Sequence, residues 1–146
     1  MAVLCSMITL AEYASSSSDG KLTIAGTIDS VTVQVRGTFE DGAELPPIPL
    51  PRMFLVFVAT ASIADGLKHS FSFGLRHEDG KFVFRDATTA ELTFKVNAKG
   101  RPMRAQTILD LNGVVAPTFG DYEFVIEVDG KEVCASPFYV DIQQAK

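Results

Sequence analysis

Glu91-Leu92-Thr93-Phe94-Lys95-Val96-Asn97 decides the fold class, because every second residue is apolar and every residue between is polar or charged. Successive side chains of an extended chain point to opposite faces, so a period of two sets one face on a core and the other in water. Tyr122, Phe124, Ile126 and Val128 repeat the period, with Glu123 and Glu127 between them. Leu22, Ile24 and Ile28 carry it after Asp19-Gly20, and Val31, Val33 and Val35 continue it with the opposite parity. A one-residue slip turns a whole apolar set to the other face, so a β-bulge or a new strand is expected near Asp29-Ser30. Met53 to Ala59 is almost continuously apolar, the pattern of a central strand covered on both faces.

The turns agree with this reading. Asp-Gly pairs stand at 19–20, 41–42, 65–66, 79–80 and 129–130, and such pairs tolerate the positive φ of tight hairpins. Asp79-Gly80 and Asp129-Gly130, set between clear apolar runs, are the strongest hairpin signals. Strands are expected near 2–12, 21–28, 31–36, 53–60, 68–76, 81–86, 90–97, 104–112, 121–128 and 133–142, some merging to leave eight or nine. No long window carries a helical stripe. Many short strands with regular turns predict an all-β, two-sheet antiparallel sandwich in one domain, 1–146, with a closed barrel as the alternative.

Composition bounds the rest. A chain of 146 residues can bury one substantial core, and 47% apolar with 21% charged residues is an ordered globular balance. The net charge is −5 and the 13 Lys and Arg residues read as scattered. A nucleic-acid partner is therefore not expected, since it would call for a basic stripe. Ala2-Val3-Leu4-Cys5 looks like a lipoprotein cleavage box, but no Lys or Arg precedes it. The apolar run is also far shorter than the roughly 20 residues of a membrane helix. It is read as a buried first strand, which predicts a cytoplasmic protein without membrane contact. Cys5 and Cys134 fall in the first and last apolar strands and are expected as reduced core thiols, since disulfides belong to oxidising compartments.

No local motif carries catalysis. His69 and His77 share a face with Phe71, Phe73 and Leu75, but eight residues of strand would hold them roughly 26 Å apart, too far to share a metal. There is no Gly-x-Ser-x-Gly elbow, and the serine run at Ser15–Ser18 leads into a turn. Neither a Walker-type loop nor Gly-x-Gly-x-x-Gly occurs. No catalytic residue, cofactor or metal is predicted, and the chain reads as a non-enzyme.

Two features point to binding. Leu45-Pro46-Pro47-Ile48-Pro49-Leu50-Pro51 lies in the longest break in strand patterning, an irregular loop at about 37–51. Such loops on β scaffolds often hold function, and its Pro-x-x-Pro spacing favours a polyproline II conformation. Pro137 cannot donate to a ladder, which marks the last strand as an edge open to a partner strand. Candidate partner-binding residues are therefore Arg36, Phe39, Pro46, Pro47, Ile48, Pro137 and Tyr139.

Pro117-Thr118-Phe119-Gly120-Asp121-Tyr122 through Gly130 is similar to the final hairpin of immunoglobulin-like modules, where the Tyr forms a corner hydrogen bond. Ala135-Ser136-Pro137-Phe138-Tyr139-Val140 is similar to the end of filamin-type repeats. Over nearly the whole chain the layout resembles a family of small bacterial proteins of unknown function. The resemblance rests on Ala11-Glu12-Tyr13-Ala14, Asp19 to Leu22, Gly26 to Asp29 and Gly120 to Gly130. It departs at Ser15–Ser18 and at the 37–51 loop. These resemblances imply an immunoglobulin-like sandwich and transfer no site residue.

The expected function is a non-enzymatic protein-binding or assembly module, its partner another protein or a second copy. A subunit of a viral, phage-derived or other ordered particle and a carbohydrate- or small-ligand-binding module are the alternatives.

Overall fold

The structure is a computed structural model that describes residues 3–36, 47–85, 90–96 and 100–145, with the side chains of 35, 36, 144 and 145 left aside. Twelve strands follow in chain order: β1 (Leu4–Ser16), β2 (Leu22–Thr27), β3 (Ser30–Arg36), β4 (Ile48–Pro49), β5 (Phe54–Ala61), β6 (Lys68–His77), β7 (Phe82–Arg85), β8 (Ala90–Thr93), β9 (Met103–Asp110), β10 (Val115–Ala116), β11 (Gly120–Val128) and β12 (Lys131–Ala145). They form a four-stranded sheet, β2-β1-β5-β9, and a six-stranded sheet, β3-β12-β11-β6-β7 with β8 also on β6. β4 and β10 make a separate two-stranded patch.

The inner faces of the two sheets share one core. Leu10, Leu55, Phe57, Ala59, Met103 and Ala105 of the smaller sheet meet Phe71, Leu75, Tyr122, Phe124, Ile126 and Phe138 of the larger. The rings of Phe57 and Phe71 stack across the interface with centroids 6.0 Å apart. β5 is covered on both faces, as its composition predicts: Val56 and Val58 point away from this core, yet they too are buried.

Part of their cover is the β1–β2 hairpin. β1 leaves β5 after Ala11, and Gly26, at φ 67, permits a bend where the side chain of Glu12 packs over it. Gln106 stands opposite Val58, so it lies on the outer face. Its Nε2 donates to Ser16 Oγ at 2.9 Å and to the Gly20 carbonyl at 3.0 Å, which fixes the arm's tip back over β9.

The parity shift at Asp29-Ser30 is a new strand: the chain leaves the smaller sheet and β3 joins the larger one. There β3 runs parallel to β12, Ser30 opposite Tyr139 and Val33 opposite Ile142, so the sandwich is not wholly antiparallel. β12 is consequently not an edge along its whole length. It has β11 on one side as far as Val140 and β3 on the other from Tyr139 onward, so the stretch before Tyr139 is open on the side that β3 takes up later. Tyr139 donates its N–H to the Asp29 carbonyl at 2.8 Å, away from β11. By strand alternation Pro137 directs its donorless nitrogen to the same side, where no ladder bond is lost.

Asp79-Gly80 and Asp129-Gly130 both close hairpins, β6–β7 and β11–β12. The second has φ 52 at Asp129 and φ 79 at Gly130, the positive pair of a type I′ turn. Tyr122, at the start of β11, is 1% exposed, and its hydroxyl donates to the Thr118 carbonyl at 2.6 Å.

Candidate functional site

One end of the sandwich gathers the start of β1, the β5–β6 connection, the β8–β9 connection and the β11–β12 turn. The β5–β6 connection is a single 3-10 turn, Ile63–Asp65, whose Asp65 carboxylate accepts from the Ser62 N–H at 3.2 Å and the Ser62 hydroxyl at 3.1 Å. This cap tightens the turn and leaves Ile63 facing water. Leu4, Ile63, Leu67 and Val96, all at this end, are 57%, 64%, 47% and 59% exposed. Single exposed apolar residues are ordinary, but Leu4 and Ile63 border the same hollow. It encloses about 360 Å³ and is completed by Thr60, Ala61, Arg101 and Pro102.

The same end carries positive charge. From Leu92 to Leu109 the chain holds Lys95, Lys99, Arg101 and Arg104 and no acid. The basic residues are thus less scattered than the sequence reading held, and this acid-free run was the available signal. Lys95 and Arg104 face each other across an isolated bridge, with backbone bonds of 2.8 and 3.2 Å. Like charges directly opposed destabilise a strand pair. Arg52, Arg76 and Arg85 are each paired with carboxylates, whereas Lys95 and Arg104 have no ion-pair partner among the described residues. Both line a second hollow, of about 360 Å³, with Ser16, Ser17, Thr93 and Gln106. Asp19 lies there too, but it is committed elsewhere: a hydrogen bond from Ser17, with further bonds from Lys21, holds its carboxyl below the usual range. Gln106 Oε1 is buried there without a donor among the described residues.

His69 braces this end. Its Nδ1 lies 2.6 Å from Asp129 Oδ2 and its Nε2 3.0 Å from the Gly66 carbonyl, with the ring edge-on to Phe94. Both partners are acceptors, and only the imidazolium can donate from both nitrogens. The Asp129 hydrogen bond accordingly raises the pKa of His69 above its ordinary value, against the opposing effect of burial. Asp129 is held in turn by the Ser70 N–H at 3.0 Å. With both nitrogens engaged, His69 has no lone pair with which to act as a general base. His77, at the far end of β6, packs edge-on against the Tyr122 ring.

The structure describes only some of the sequence-predicted binding residues. Phe39 and Pro46 lie outside the described residues, and of Arg36 only the backbone, at the end of β3, is described. Pro47 is exposed, but Ile48 is 7% exposed and belongs to the core. The proline segment is a strand-like plug: Ile48 and Leu50 point in and Pro47, Pro49 and Pro51 point out, so its alternation was hidden by the prolines. Ile48 and Pro49 pair with Ala116 and Val115. Pro137 and Tyr139 are exposed on β12, away from the apolar end.

No helix among the described residues is long and apolar enough to cross a membrane. Residues 6–141 match the model of a family of unknown function, DUF6941, and the chain belongs to that family. No curated protein matches it.

Proposed function

We propose that this member of the family is a non-enzymatic docking module that holds an acidic, apolar segment of a partner protein. The observation that carries the reading is the joining of two unsatisfied surfaces at one end of the sandwich. Leu4 and Ile63 offer apolar area on a hollow with Arg101 in its wall, and Lys95 and Arg104 face each other without an ion-pair partner among the described residues. Apolar burial supplies affinity, and the acid-free run from Leu92 to Leu109 favours an acidic partner even though the chain as a whole is acidic. The strand order β3-β12-β11-β6-β7, the parallel β3 and the Tyr122 corner support an immunoglobulin-like reading of the sandwich.

Fluorescence anisotropy with three synthetic peptides tests the reading. One mixes Asp and Glu with Leu and Phe, a second replaces its acids by Lys, and a third replaces its apolar residues by Ser. The first is expected to bind, to weaken with added salt, and to lose at least tenfold in affinity with Ile63→Asp or Arg101→Glu. Equal binding of the basic peptide, or indifference to both substitutions, would overturn it. Concentration-dependent association of the pure protein that Ile63→Asp abolishes would replace the foreign segment with a second copy.

A further inference from the structure

We infer that Cys5 and Cys134 are a redox pair whose disulfide would staple the two sheets together. Cys5 lies in β1 opposite Ala59, in the smaller sheet, and Cys134 lies in β12 opposite Ile126, in the larger. Both side chains pack against the shared core, both are partly exposed, and the two strands that carry them, β1 and β12, lie in contact with each other. β1 shifts register between Cys5 and Met7, and the β11–β12 pair shifts between Ile126 and Glu127, beside Cys134. Ser6 and Val133 are the unpaired extra residues. Bulges bend a strand and re-aim its side chains, and here one stands next to each cysteine. Cys134 also occupies the stretch of β12 whose outer side carries no ladder among the described residues. A small oxidant can approach there without opening a sheet.

Oxidised glutathione is a sufficient reagent. Its S–S bond breaks and accepts two electrons; two cysteine S–H bonds break, one Sγ–Sγ bond forms between Cys5 and Cys134, and the two protons end on the two glutathione thiols. The route runs through a mixed disulfide on one cysteine, which the other displaces. Burial, together with the neighbouring Cys5 thiol, pushes the Cys134 thiol up. Since the thiolate is the nucleophile, the closing step accelerates as pH rises.

The experiment uses the full chain incubated with oxidised glutathione at mildly alkaline pH, then intact mass measured without reductant. The expected product is a monomer lighter by two hydrogens, free of glutathione and restored by dithiothreitol. Its thermal midpoint is expected to rise by roughly 10 °C, because the closed loop spans most of the chain. Cys5→Ser and Cys134→Ser should each stop at a single glutathione adduct, having no partner to displace it. An unchanged wild-type mass, a persistent wild-type adduct or a disulfide-linked dimer would each overturn the pairing.

Discussion

Asp129→Asn isolates the charge that clasps His69. Position 129 sits at φ 52, a left-handed backbone that Asn adopts as readily as Asp, so the turn is retained. The Asn oxygen can still accept from the Ser70 N–H, while the carboxylate facing Nδ1 at 2.6 Å is lost. Hydrogen bonds to charged groups contribute about 1.5–3 kcal/mol. The His69 side chain is only 7% exposed but that of Asp129 is 53% exposed, and solvent screening lowers the expected loss to about 1–2 kcal/mol. The loss depends on pH with a definite sign. The folded-state pKa of His69 is raised, chiefly by the bond from Asp129, so its contribution is complete below the unfolded value of about 6.5 and fades as pH climbs through the raised value. The pKa of Asp129 is lowered, chiefly by His69, so its contribution is complete above about 3.9 and fades as pH falls through the lowered value. The stability difference between wild type and variant should therefore form a plateau on the acid side of neutrality and shrink in both directions. Urea unfolding midpoints measured from about pH 3 to about pH 9 read this profile directly. A difference that stays flat across the range, or grows toward alkaline pH, would refute the claim that the pair is an imidazolium–carboxylate bond.

Two further substitutions test the packing. Tyr122→Phe leaves the Thr118 carbonyl without its 2.6 Å donor and should cost about 1–3 kcal/mol, lowering the thermal midpoint by roughly 3–10 °C; an unchanged midpoint would remove the corner bond from the fold's support. Ile48→Ala should cost about 2–4 kcal/mol in chemical denaturation while exposed Pro47→Ala stays within about 0.5 kcal/mol of wild type, and similar effects at both would contradict the plug.

Local patterns made much of the fold legible. The alternation of Tyr122 to Val128 and the Asp-Gly turns required only neighbouring residues to be read, and they place β11 and its hairpin correctly. The apolar continuity of Met53 to Ala59 predicted cover on both faces, but not that a bent hairpin latched by Gln106 supplies part of it. Period two is the same for parallel and antiparallel strands, so Val31 and Val33 could not announce β12 as a parallel neighbour. Ile48 was misread because prolines mask a strand that forms only two ladder pairs. The apolar end was less legible still. His69 and Asp129 stand sixty positions apart, and Leu4, Ile63 and Arg101 come from the start of β1 and two separate connections that only the topology brings together. Lys95 to Arg104 was the exception, since its lack of acids is visible in the chain itself.

The parallel pairing of β3 with β12 also orders events during synthesis. Ser30 to Arg36 emerges early, but its partner, Tyr139 to Ala145, is made only after almost every other strand. Until then Val31 and Val33 belong to a strand with no neighbour in its own sheet, the kind of edge that nascent chains must keep from pairing with one another. Closing so long a loop is slow, because its entropy is lost before the ladder forms. The larger sheet is therefore expected to assemble first through the local β6–β7 and β11–β12 hairpins. Docking of β3 then becomes the late step, and the stretch from Ser30 to Val33 the place where crowded or heated ribosomal products would first stick together.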